Sequence, residues 1–162
     1  MIATLFGKKR ISEEKLANVF VNAVLELTEQ GFAAVAAEIN ESPEFSANPN
    51  IGENDDDAFA LIVLAANLME AQRILGPGVD KRIASLSISK FAQATGLGVN
   101  ELEREVRTLQ SQMERLNFPS KNTVYAMSRA LFHQYDLFGH QTDEYFRDKR
   151  EPHPVTLKRL NS

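Results

Sequence analysis

Residues 58–69 read Ala-Phe-Ala-Leu-Ile-Val-Leu-Ala-Ala-Asn-Leu-Met, apolar at every position except Asn67. A helix apolar on all sides is stable only when other helices surround it. Asp55-Asp56-Asp57 before the run suit a helix N-terminus, and Gly76-Pro77-Gly78 stop it, which places a central helix at 58–74. The expected fold is all-α: a single-domain bundle of six or seven helices spanning residues 1–162 around that helix. A chain of 162 residues with 43% hydrophobic content has enough apolar surface for one such core.

The flanking segments supply the surrounding helices. Ser12 followed by Glu13 and Glu14 is a capped start, and Leu16, Val19, Phe20, Ala23, Val24 and Leu27 fall on one face of a helix ending near Gly31. Phe32 to Ile39 reads as a second, short helix. Residues 42–57, rich in Asn, Pro, Asp and Glu, form an acidic and mobile loop. Asp80 caps the next helix, and the strand-like alternation Ser85-Leu86-Ser87-Ile88-Ser89, with no second strand to pair with, marks a break between two helices.

Residues 89–117 then form a helix, a Gly96-Leu97-Gly98 turn and a long helix opened by Asn100 and Glu103 in a capping-box pattern. Along the long helix Leu102, Val106, Leu109, Met113 and Leu116 make a heptad seam. After Phe118-Pro119 a further helix starts near Ser120 or Asn122 and carries Val124, Met127, Leu131, Tyr135 and Phe138, with Gly139 ending or bending it. A short helix and a basic, partly flexible tail at 147–162 close the chain.

Charge is distributed unevenly. No Lys or Arg occurs between Lys15 and Arg73, a stretch with ten acids. Residues 1–80 hold five basic and thirteen acidic residues (net −8) and residues 81–162 thirteen and nine (net +4), summing to the overall −4. Such polarity either closes on itself through internal ion pairs or presents two faces of opposite sign to a partner.

Absences remove whole function classes. With no cysteine there are no disulfides, thiolate nucleophiles or iron–sulfur ligands. Walker A, dinucleotide, HExxH and GxSxG patterns are missing, and Ser87-Ile88-Ser89-Lys90 matches a penicillin-recognising nucleophile motif by letter only. The acids Glu53 and Asp55 to Asp57 lack the alternating spacing and closing Glu of a calcium loop. At Met1–Arg10 the apolar residues precede the basic ones, the reverse of a secretory signal, and no run approaches the roughly 18 apolar residues that span a bilayer. The expectation is a cytoplasmic protein without cofactor or membrane partner.

Segment 89–102 resembles the helix-turn-helix pattern, with Ala92, Gly96 and Leu102 at the tight crossing. That resemblance implies nucleic-acid contacts through Arg104 and Arg107. The same helix face carries Glu101, Glu103 and Glu105, so its sign opposes phosphate. His133, Asp136 and His140, at i, i+3 and i+7, are the candidate metal ligands of a metal-binding protein or metal-dependent hydrolase. The leading expectation is a non-catalytic interaction or assembly module, a homodimer or a binder of another protein. Its contacts are expected through Leu102, Val106, Leu109, Met113 and Leu116 or through Tyr135 and Phe138.

Overall fold

A computed structural model describes residues 12–46, 48–52, 55–117 and 122–161. The run Met1–Arg10, Glu53 of the acidic loop, the Phe118-Pro119 break and the alternative start at Ser120 lie outside the described residues. Seven α-helices and no strands are present among those described: α1 (Glu13–Asn40), α2 (Asp57–Ile74), α3 (Val79–Thr95), α4 (Val99–Asn117), α5 (Thr123–Gln134), α6 (Glu144–Lys149) and α7 (Pro154–Leu160). A 3-10 turn at Phe138–His140 joins α5 to α6.

The architecture is the expected helical bundle with α2 at its centre. Helix α2 packs against α1, α3, α4 and α5, and nine of its side chains, from Phe59 to Met69, are buried. Asn67, the one polar residue of the run, is exposed and returns its amide to the Val63 carbonyl at 2.7 Å. Around α2 the main core gathers Val21, Val24 and Phe32 from α1, Ile88 and Phe91 from α3, and Ala130 and Leu131 from α5. The heptad positions Leu102, Val106, Leu109 and Met113 of α4 join the same core, each 5% exposed or less, and Leu116 is half-buried. Within the molecule that seam faces α2 and α5.

A smaller apolar cluster lies at one end. Ile39, Phe45, Phe132, Leu137, Phe138 and Leu157 come together there, and Val35, Ile51, Tyr135 and Leu160 pack against both clusters. Described residues of the acidic loop are held at two points: the Asn40 amide both accepts from Ile51 N–H and donates to Ile51 carbonyl, each at 2.9 Å, while Phe45 pairs with Gln141 in an isolated antiparallel bridge. The tail is docked as well, because Pro at N1 and a His153 cap start α7, and Leu157 drives it into the small cluster. Gln141, fully buried, holds the junction by donating to the Glu151 carbonyl at 2.8 Å and accepting from His153 N–H at 2.7 Å.

Several local expectations also change. Helix α1 continues through Gly31 for 28 residues instead of splitting there. A helix interior tolerates a glycine at about 1 kcal/mol when neighbouring turns are packed, as Thr28 and Phe32 are. The inward face of α1 is Ala17, Val21, Val24 and Thr28, with Val19 and Leu27 exposed, because the small residues permit close packing on α3. Helix α3 is unbroken across Ser85–Ser89, and the Asn100 and Asp80 caps are displaced since α4 starts at Val99 and α3 at Val79. Ser12 and Asn122 cap α1 and α5 as expected, accepting from Lys15 N–H and from Val124 and Tyr125 N–H.

By length and composition alone, α1 is long and apolar enough to cross a membrane, where the sequence pattern suggests no such segment. Part of the charge polarity closes internally: Glu13 pairs with Arg82 at 2.8 Å, Glu14 with Lys90 at 3.6 Å and Glu44 with Arg159 at 3.1 Å, each joining the acidic to the basic half.

Candidate functional site

The residues singled out for metal binding do not converge. His133 is exposed on α5 and sets its ring edge-on against Phe138, with centroids 4.9 Å apart. Its pKa is lowered by burial and by the Arg150 and Arg115 guanidiniums, which would also repel a cation. Asp136 turns to Arg150 at 3.2 Å, and the His140 carbonyl accepts from Ser46 N–H at 2.8 Å. Among the described residues no group of three His, Asp or Glu side chains is placed to hold a metal. Ser87 is fully buried within α3, out of reach of any substrate.

Helices α3 and α4 do form a helix-turn-helix-like pair around Gly96, whose φ of +78° closes α3 with its N–H on the Ala92 carbonyl. Arg104 and Arg107 are exposed on α4, but Arg107 is held by Glu103 at 2.6 Å. Of the late aromatic residues proposed as contacts, Phe138 is 1% exposed and belongs to the small cluster, and Tyr135 is half-buried. Among the described residues the exposed aromatic side chains are instead Tyr125 and Tyr145.

A groove of about 650 Å³ lies where α1, the start of α2, the end of α3 and α4 meet, within the range of pockets that hold ligands. Its walls are apolar: Leu25 of α1, Ala60 and Leu61 of α2, Phe91 of α3 and Leu97 of the turn. Thr28 and Thr95 also line it, with hydroxyls donating to the carbonyls of Val24 and Phe91 in their own helices. Among the described residues its rim carries Glu29, Asp56, Asp57 and Glu105 and no basic residue. Two of these acids sit at the N-terminus of α2, where the helix dipole is equivalent to roughly half a positive charge and offsets only part of their negative charge. The groove therefore keeps a strongly negative potential beside apolar walls, including the 45%-exposed Leu97.

Tyr135 fixes the α2 end of this groove from behind. Asp56 occupies the N-cap of α2 in a helical conformation and makes no side-chain cap, since a capping side chain reaches its amides from an extended backbone. The Tyr135 hydroxyl takes its place, accepting from Phe59 N–H at 3.1 Å and donating to the Asp55 carbonyl. Burial pushes the Tyr135 phenol up to about 12; the Phe59 amide works against that shift, and Asp56, Asp55 and Asp57 add to it.

Sequence reading missed the groove as a unit, although three of its four acids belong to the stretch without Lys or Arg. In the sequence Glu105 reads only as the wrong charge for a DNA-facing helix, and Leu97 only as a turn residue. No known protein family, curated protein or solved structure matches the chain.

Proposed function

We propose that this protein is a non-catalytic interaction module whose α1–α4 groove receives a basic amphipathic segment of a protein partner. The observation that carries this reading is the pairing of apolar walls with a rim that, among the described residues, holds four acids and no base. A helix with Leu-like residues at i, i+3 and i+4 and Lys or Arg beside them satisfies both features, the helix-in-groove mode of recognition. Acidic residues around the groove speed encounter with such a segment and reject acidic competitors. Desolvation of Leu97, Leu61 and Leu25 supplies the affinity at about 25 cal/mol per Å² of apolar area covered.

The test is an anisotropy titration of the full chain with a labelled Leu/Lys helical peptide, beside a Leu/Glu peptide of identical apolar pattern. The expected result is saturable binding of the basic peptide, weakened by salt and by Glu29→Lys with Glu105→Lys. Equal binding of both peptides, or no effect of the double charge reversal, would overturn the proposal.

A further inference from the structure

The chain itself contains a segment of the chemistry that this groove selects. Ile2, Leu5 and Phe6 follow helical spacing and are succeeded by Lys8, Lys9 and Arg10, three basic charges within a chain whose next base after Lys15 is Arg73. We infer, resting on the groove reading above, that the groove of one molecule is filled by residues 2–10 of a second copy.

Reach decides between a molecule's own segment and its neighbour's. The groove is lined on α1 by Leu25, Thr28 and Glu29, and α1 begins at Glu13. At 1.5 Å per residue, Ser12 is about 20 Å from Leu25 and about 25 Å from Glu29 along the helix. Fully extended backbone puts Arg10 only about 7 Å, and Lys8 about 14 Å, from Ser12. Within one molecule the apolar residues can reach the groove only if the basic trio is left behind, short of Glu29. In a second molecule both halves of the segment meet their complements at once. Reciprocal exchange closes a two-fold dimer with two filled grooves, whereas one-way donation propagates head to tail. The dimer places the apolar side chains against Leu61, Phe91 and Leu97 and the three bases against the acids of the rim, Glu29, Glu105 and the Asp56–Asp57 pair.

Sedimentation velocity of the full chain across a concentration series tests this directly. Reversal of Lys8, Lys9 and Arg10 to Glu is expected to weaken self-association by about tenfold, as three exposed pairs of ordinary strength imply. Glu29→Lys with Glu105→Lys, both exposed on helix surfaces, is expected to do the same without touching the core. Mixing the two variants should restore association, since each then offers what the other lacks; a misfolded variant gives no such rescue. A synthetic peptide of residues 2–11 should compete the wild-type dimer apart. A monomer at every concentration, or self-association unchanged by both reversals, overturns the inference. If the Leu/Lys peptide still binds the groove in that case, the proposed function survives without it; if that peptide also fails, both fall.

Discussion

Replacing Tyr135 by phenylalanine removes one oxygen and keeps the ring that stacks on Phe32, whose centroid lies 6.2 Å away. The lost hydroxyl accepts from Phe59 N–H and donates to the Asp55 carbonyl. Phe59 is 8% exposed, so little water can replace the acceptor, and Asp56 offers no cap of its own. Loss of a helix cap costs about 0.5–2 kcal/mol, and a buried donor left unpaired costs about 1–3 kcal/mol. The expected destabilisation is therefore about 1–2 kcal/mol, a fall in Tm of about 2–8 °C for a chain of this size. Urea unfolding should show it as a lower midpoint at unchanged m-value. Alkali supplies a second check: with the folded pKa near 12 above an unfolded value of about 10, the contribution is complete below pH 10. It is lost as pH rises through the folded value, so wild type and variant should converge in that window. A variant within about 0.5 kcal/mol of wild type at pH 7 would refute the capping role assigned to the phenol, since caps contribute more than that on average.

Gly31→Ala should stabilise the protein by about 0.5–1 kcal/mol, because the site is helical and an added Cβ meets nothing within 4 Å; thermal melts measure it. Gln141→Leu should cost about 2–4 kcal/mol by orphaning the Glu151 carbonyl and His153 N–H, and limited proteolysis should show cleavage moving into the C-terminal helices. Met113→Ala, at a position with 0% exposure, should cost about 2–5 kcal/mol in a denaturant titration. Glu44 is pushed up by burial, but the Ser42 hydroxyl, its own backbone N–H, Arg159 and His153 outweigh that and hold it below its ordinary 4.5. Its contribution is present above 4.5 and lost as pH falls through the folded value, so Glu44→Gln should destabilise at pH 7 and converge with wild type in acid.

The parts of this fold that were legible in the sequence are those where a single segment carries its own message. Residues 58–69 announce a surrounded helix because no polar face is present, and Leu102 to Met113 announce an apolar seam by spacing, although spacing does not say whether it turns inward or to a partner. Where packing chooses among similar faces, pattern misleads: in α1 the buried stripe includes Ala17 and Thr28, while the larger Val19 and Leu27 stay outside. Alternating serines suggested a break in α3 because a buried Ser87 reads as polar, although tertiary packing encloses it. The groove is the extreme case, since Leu25, Asp56, Phe91 and Glu105 meet only after four helices have packed. Only its sign was visible beforehand, in the stretch free of Lys and Arg.

The two apolar clusters share Val35, Ile51, Tyr135 and Leu160, and that sharing divides the molecule into cooperative units of unequal strength. The six-residue cluster holds α7 and the acidic loop with far less buried surface than the main core, so its amides should exchange with solvent deuterium through a low-energy sub-global opening. Tyr135 belongs to the boundary of that opening and also anchors Asp55 and Phe59. Each excursion of the C-terminal unit would thus release the Tyr135 hydroxyl from Phe59 and Asp55, coupling the local stability of the tail to the shape of the groove that the proposed partner would meet.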